Sequence, residues 1–360
     1  MAVSGSEPRK AAQNSPSARD SGIRYGGKRS GRTKKVRLRI SGTEFGRGAR
    51  TLFRGAGART LTFPKTVRVI QDSACKGLKA LRSAKFAADS QLESIGASCF
   101  QKSGLEEIRI QGRVASIGKG AFRECASLRA ALFQDCDRLE AVPEECFYES
   151  GLERVAVPDC VRTIGECAFY GCKALRAATF GAGSRLEEIG RGSFMMSGLG
   201  ELRTPVGLRK IGPEAFCCCG KLRSVVLNEG LQTVSECAFE MSGVESVWVP
   251  ANVRELCRSA FKLCESLRIV SLQEGLETIC ETCFYFAGLR EVLVPASVRE
   301  IGAQAFSGCK ELAVFRLARG SRLAVVGYCA LAGTCVKRNS VWLPPETRVS
   351  PDAFENSRRW

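Results

Sequence analysis

Nineteen cysteines and no histidine set the limits of the chemistry open to this 360-residue chain. Without imidazole there is no Ser-His-Asp or Cys-His nucleophile system, no imidazole general base and no histidine-containing metal site. Carboxylate chemistry needs converging acids, and the candidates are the adjacent pairs Glu106-Glu107, Glu144-Glu145 and Glu187-Glu188. Neighbouring residues of an extended chain point to opposite faces, so these pairs cannot converge and read as solvated surface. The glycine-rich stretch from Gly46 to Gly57 lacks the Gly-Lys-Ser/Thr of a phosphate loop. Thiols remain. Cys280-x-x-Cys283 has the spacing of a redox or zinc pair, and Cys217-Cys218-Cys219 is a run of three. A CxxC without a second pair is a weak signal. No constellation joins a nucleophile, a base and an orienting group, so we expect no enzyme, no metal and no cofactor.

An internal repeat positions these residues. The run Gly151 to Phe169 and the run Gly288 to Phe306 share the frame L-x-x-V-x-V-P-x-x-V-x-x-I-G-x-x-A-F. Its aromatic anchor recurs at Phe100, Phe122, Phe147, Phe169, Phe194, Phe216, Phe239, Phe261, Phe284 and Phe306. Leu331 and Phe354 continue the series, and Cys75 fills the slot upstream. Short and long spacings of 22 to 25 residues alternate, so the underlying unit is a pair of copies. In Leu152-x-x-Val155-x-Val157-Pro158 the two valines alternate with period 2, which reads as a short strand. The proline has no N–H to donate and ends it. Val161-x-x-Ile164-Gly165 turns a second apolar edge inward, and the glycine is expected to permit a tight turn. One such coil cannot bury its own apolar face, whereas stacked coils can, with adjacent strands forming a parallel sheet.

Within this frame most cysteines have a structural reading. Cys125, Cys172, Cys219, Cys264 and Cys309 occupy one slot in every second coil. Coils stack at about 4.8 Å, so these thiols lie ~9.6 Å apart, beyond the reach of a disulfide, and act as small buried hydrophobes. Cys99, Cys146 and Cys283 take the alanine slot before the anchor, which makes the CxxC part of the core. At most two of Cys217, Cys218 and Cys219 can face the interior, leaving one exposed. Cys257 and Cys280 hold equivalent positions in neighbouring coils and are the one pair whose spacing allows a bond. The uneven placement points to a reducing compartment.

The frame resembles the BspA-type leucine-rich repeat over roughly residues 58 to 357. The resemblance implies an α/β-type leucine-rich repeat solenoid, curved and β-rich. Its parallel sheet would lie on the concave face, with short turns, strands or 3-10 segments on the convex face. The resemblance also implies protein–protein contact, typically adhesion or surface antigen display. On this reading residues 1–45 are a disordered basic arm, and residues 46–360 are a solenoid of about 13 coils, degenerate end copies included.

Residues 1–50 hold 13 Lys/Arg against three acids, a net +10, so the other 310 residues share +7 of the chain's +17. The cluster Lys34, Lys35, Arg37 and Arg39 suits nuclear import or attraction to nucleic acid or an anionic membrane. A solvated tail followed by a first edge strand explains it more simply. No apolar run approaches the ~18 residues of a spanning helix. Met1 to Lys10 lacks the apolar stretch of a signal peptide. We expect a cytoplasmic location with a nuclear variant, and the cell surface as the family-based alternative.

The residue between the last two apolar positions of each strand points away from the core. Along the chain it is Thr62, Lys85, Arg109, Leu132, Ala156, Thr179, Arg203, Val226, Trp248, Ser271, Leu293, Arg316 and Trp342. A solvated face would be charged or hydroxylic, whereas this one gathers Trp248, Leu293 and Trp342 around Arg316, and Trp and Arg are hot-spot residues. We expect a monomeric protein-interaction scaffold whose partner meets Arg203, Trp248, Leu293, Arg316 and Trp342. The alternatives are a surface antigen or adhesin exported by an unrecognised route, and a nucleic-acid-associated scaffold led by the arm.

Overall fold

A computed structural model describes residues 24–26, 35–39, 43–46 and 57–355, the first two stretches as backbone alone. The expected alternation forms the strands. In Arg154–Val157 the pattern runs exposed, buried, exposed, buried, with Val155 and Val157 inward. Val157 then meets Pro158, which ends the strand. Two-residue strands such as Thr163–Ile164 turn their second residue inward. Each coil thus adds one strand to a long sheet and one to a short sheet, both parallel.

The long sheet runs in one ladder from Lys35–Arg39 to Ala177–Phe180, in a second from Glu201–Arg203 to Ile269–Leu272, and ends in the pair Glu291–Val294 and Val314–Leu317. The short sheet runs from Glu44–Phe45 to Ser116–Ile117 and again from Ala141–Val142 to Arg348–Val349. The molecule is a curved parallel β-solenoid of about 13 turns. The described residues contain no α-helix, and their one helical element is the 3-10 turn Arg338–Ser340. The α/β label is therefore corrected to a β-solenoid: with 22 to 25 residues per coil, two strands and a turn use up the length a helix would need. None of the helices is long and apolar enough to cross a membrane, among the described residues.

Two short strands fall within the stretch assigned to the arm. Lys35–Arg39 already pairs in parallel with Thr60–Phe63. Arg24–Gly26 lies antiparallel along its outer edge. Phe45 is fully buried and meets Phe63 edge-on at 5.1 Å. Lys35–Arg39 is the first edge strand read from the sequence. The rest of the stretch assigned to the arm lies outside the described residues.

The core is a ladder of phenylalanines. From Phe100 to Phe306 the ten rings stack with centroids 5.0–5.5 Å apart and planes within 12° of parallel. All ten are fully buried. Each sits at the centre of a turn whose residues two before and two after are left-handed: Ser98 and Lys102 (φ 51° and 56°) around Phe100, Glu145 and Glu149 (φ 54° and 50°) around Phe147. This alternation aims three peptide groups per coil along the solenoid axis. Ser98, Phe100 and Lys102 donate their N–H groups to the carbonyls of Lys119, Ala121 and Arg123 at 2.7–2.9 Å. Gly120, Phe122 and Glu124 do the same to Glu144, Cys146 and Tyr148. The intervening peptides close i→i−3 turns within their own coil, as Gln101 N–H does on Ser98. Most backbone groups of the turn therefore have a partner, as burial demands. Three hydrogen bonds at about 1 kcal/mol each roughly cancel two left-handed residues at ~1–2 kcal/mol each. The margin comes from the phenylalanine, whose burial contributes about 2–3 kcal/mol.

Two glycines of the frame are needed for close approach. A Cβ on Gly151 would stand 2.3 Å from the Ala126 carbonyl oxygen of the preceding coil, and one on Gly165 2.6 Å from the Glu144 nitrogen. Gly165 therefore serves coil stacking, not the tight turn expected of it.

The cysteines of the common slot do more than fill space. Cys125 Sγ donates to the Phe100 carbonyl at 3.0 Å and lies 3.4 Å from Ser103 Oγ. Cys172 repeats this on Phe147 and Ser150, Cys219 on Phe194 and Ser197, and Cys264 on Phe239 and Ser242. With the S–H committed to the carbonyl, the serine hydroxyl donates to sulfur. Burial pushes these four thiols up to about 11, with the serine working against the rise. Cys309 keeps the carbonyl bond, at 3.0 Å to Phe284, but Ala287 stands where the serine would be. Burial then lifts its thiol to about 12.

Phe169→Ala, in the middle of the ladder, is expected to cost about 3–5 kcal/mol in denaturant unfolding. Hydrogen exchange should lose protection chiefly in the coils of Phe147 and Phe194, because coils couple through nearest neighbours. Uniform loss along the chain would contradict this.

The thiol ladder also predicts an alkaline limit. The folded thiols hold their protons more tightly than unfolded ones, whose ordinary value is about 8.5. Stability should be level below about pH 8.5 and fall as pH rises toward about 11, because only the unfolded chain ionises in that window. Melting curves of wild type and Cys172→Ala/Cys264→Ala across that range should show a shallower fall in the variant.

Candidate functional site

The outward column of the long sheet is assembled in the register its spacing implies. Thr62 pairs with Lys85, Arg109 with Leu132, Ala156 with Thr179, Arg203 with Val226, Trp248 with Ser271 and Leu293 with Arg316. Every one of these residues is exposed, while the strand residues before and after Trp248 and Leu293 are buried. The parallel β-ladder forces this: in-phase strands stack like positions. Trp248 is 37% exposed and Leu293 57%.

Trp342 departs from the expectation. It is 66% exposed but belongs to no strand and follows the 3-10 turn Arg338–Ser340. The sequence continues Leu343-Pro344-Pro345, and two consecutive prolines withhold the donors a ladder needs. The column therefore ends in the ladder at Arg316.

Two features were missed. Ile269 is exposed and pairs with Ser246, two residues before Trp248. A second outward position per strand was readable from the period-2 pattern. The ladder is also interrupted between Ile269–Leu272 and Glu291–Val294. There a groove of about 440 Å³ opens, lined by Ile269, Ser271, Gln273, Leu293 and Arg316. Trp248 lies one strand from this groove, Leu293 forms its wall and Arg316 its far rim. Arg203, at the start of the second ladder, lies two strands before Trp248.

Lys34 lies outside the described residues, and Lys35, Arg37 and Arg39 are described as strand backbone alone. Arg37 shares the register of Thr62.

The other candidates separate. Glu106 meets Arg82 at 3.2 Å while Glu107 meets Arg109 at 2.6 Å. Glu144 meets Lys119 while Glu145 meets Arg123, and Glu187 meets Arg162 while Glu188 meets Lys210. Each pair diverges to different cations, as opposite faces require. In the CxxC, Cys283 is buried, whereas Cys280 Sγ donates to Glu255 Oε1 at 2.8 Å. Burial, then the Glu255 carboxylate, push the Cys280 thiol well up. Cys257 and Cys280 are unbonded thiols, like all 19 cysteines; the side chain of Cys280 turns to Glu255, which offers a carboxylate acceptor. Of the run of three, Cys217 and Cys219 are buried and Cys218 is partly exposed, as expected.

The comparisons agree with this architecture. The family model described as a BspA type leucine rich repeat region matches residues 49–176, 140–268, 187–313 and 242–359. A leucine-rich repeat protein from Bacteroides ovatus superposes with a TM-score of 0.64 at 20% identity, covering 91% of this chain and 98% of that one. The pneumococcal vaccine antigen PcpA matches at 19% identity over 92% of each chain, with a TM-score of 0.45. A leucine rich cell surface protein from Faecalibacterium prausnitzii matches at 19% identity over 86% of this chain and 97% of that one, with a TM-score of 0.38. No curated protein sequence matches significantly. The first of the three shares the solenoid fold, and the family model spans nearly the whole described solenoid: the chain belongs to the BspA-type leucine-rich repeat family.

Proposed function

We propose that this protein is a non-enzymatic scaffold that binds a protein partner on the outer, concave face of its long sheet. One observation carries the reading: large apolar side chains hold an outward position where folding gains nothing from them. Trp248, Ile269 and Leu293 are exposed on successive strands beside an open groove. Isolated exposed apolar residues need no explanation, but three around one groove are the composition of a docking site. Arg316 on the rim supplies the charged group typical of a hot spot. From Trp248 to Arg316 the patch spans three strand steps, ~14 Å at the strand spacing, a width an extended peptide or the edge of a globular domain can cover. Leucine-rich repeat proteins typically bind proteins, and membership of the family supports the same class of partner.

A second reading places the same scaffold at the cell surface as an antigen or adhesin. Family membership favours it, since adhesion and antigen display are what the BspA-type resemblance implies. The two readings differ in compartment, not in chemistry. Protease shaving of intact source cells separates them: peptides of this protein released without lysis establish the surface reading.

Trp248→Ala and Leu293→Ala should each weaken capture of the partner by about thirtyfold, the effect of a hot-spot truncation of ~2 kcal/mol. Their melting temperatures should stay near wild type, because both side chains are outside the core. Affinity capture with wild type and each variant, followed by titration of the captured protein, measures this. Two folded variants that bind as tightly as wild type would end the proposal.

Titration of the denatured, unreduced protein from its source is expected to find all 19 thiols free. Four or more disulfides would instead place it in an oxidising compartment and favour the surface reading.

A further inference from the structure

The docking face leaves one group of reactive side chains unused. Cys219 belongs to the buried thiol ladder, but the two residues before it do not. Cys217 Sγ and Cys218 Sγ lie 3.6 Å apart. Cys218 Sγ lies 3.9 Å from Met241 Sδ of the next coil. Cys217 is buried and Met241 is half exposed, so the trio has a protein side and a solvent side. All three follow the core phenylalanine of their turn, Cys217 and Cys218 after Phe216 and Met241 after Phe239. This is a different edge of the coil from the outward column of the long sheet.

The backbone brings the sulfurs together. Cys218 (φ 59°) and Met241 (φ 57°) are left-handed at the same turn position, where other coils carry Gly171 and Gly308. The three axial hydrogen bonds of the turn, Cys218 N–H to Glu240 carbonyl among them at 2.8 Å, hold these positions one coil apart. In earlier coils the position carries Lys102, Glu124 and Glu149, hard and solvated groups. Here it turns soft.

We infer that Cys217, Cys218 and Met241 form a three-sulfur site for monovalent copper. Three sulfurs around an ion at a metal–sulfur distance of ~2.3 Å stand about 4 Å apart, close to the 3.6 and 3.9 Å found here. Thiolate and thioether ligands together select Cu(I). Zinc asks for four nitrogen, oxygen or thiolate ligands, and no group of three or more His, Cys, Asp or Glu is placed to hold a metal ion, among the described residues. Binding breaks two S–H bonds and forms two copper–thiolate bonds. Both protons pass to solvent, the Met241 thioether donates a lone pair, and no electron is transferred. Met196, one coil earlier, is already engaged, accepting the Tyr170 hydroxyl at 3.3 Å, and stays on the rim. The site is independent of the docking face and requires only that the thiols be reduced.

The test uses the full-length reduced protein, titrated without oxygen with Cu(I) supplied as its acetonitrile complex, against bathocuproine disulfonate as competitor. Cys218→Ser and Met241→Leu are compared with wild type and with Cys335→Ser, which removes the exposed thiol. Wild type and Cys335→Ser should each hold one Cu(I), with an X-ray absorption signature of three sulfur neighbours. Cys218→Ser should lose it. Met241→Leu should weaken it by about tenfold or more, since even outer-shell partners of a metal are worth that much, and should leave two sulfur neighbours. Circular dichroism confirms that each variant is folded; should Cys218→Ser fail to fold, Met241→Leu decides. Wild-type affinity in the folded variants, or surrender of all copper by the wild type, would overturn the site.

Discussion

The structure rests on the turn around each phenylalanine. A solenoid coil has to pass hydrogen bonds to its neighbours all round its circumference, and strands do this on only part of it. At the turn the chain solves the problem by alternating right- and left-handed residues, which stands three peptide groups along the axis. From the turn of Cys75 to that of Phe306, these rows continue without a break. Peptide dipoles that alternate within the strands are aligned in these rows, as in a helix. The left-handed residues make the turn nearly neutral by itself, so the ring buried at its centre decides whether the coil forms.

Other features follow from that turn. Its phenylalanine carbonyl receives a thiol from a later coil, Cys125 on Phe100 and Cys172 on Phe147. A serine three residues after the ring then completes the sulfur's bonding. The arrangement recurs in every second coil because the unit of duplication is a pair. The charged edge repeats at twice that interval, in every fourth coil: Arg68 meets Glu93, Arg162 meets Glu187 and Arg254 meets Glu277, each from one coil to the next. Such exposed pairs contribute well under 1 kcal/mol each. Their regular spacing is a by-product of the alternating copies, and the fold would stand without them.

A scaffold of this kind separates stability from recognition. Inward positions are nearly invariant in type along the chain, since each must stack on the same residue one coil away. Outward positions carry no such demand. The column from Thr62 to Arg316 accordingly varies from lysine to tryptophan without disturbing the ladder. Specificity can then be written residue by residue on a rigid sheet, with little ordering cost when a partner arrives.

The frame in the sequence determined the repeat, the strand pattern, the phenylalanine core and the register of the outward column. Each of these depends only on a period of 22 to 25 residues and on inward–outward alternation. Tertiary structure alone decided what passes between coils. The S–H bond from Cys125 to the Phe100 carbonyl, the meeting of Cys218 with Met241, and the gap between Ile269–Leu272 and Glu291–Val294 all join residues that the frame treats as separate copies. The absence of a strand at Trp342, by contrast, follows from the consecutive prolines Pro344 and Pro345 in the sequence itself. A one-dimensional pattern states which way a side chain faces. Backbone handedness and the offset between stacked coils state what it touches, and both are properties of neighbouring coils in space.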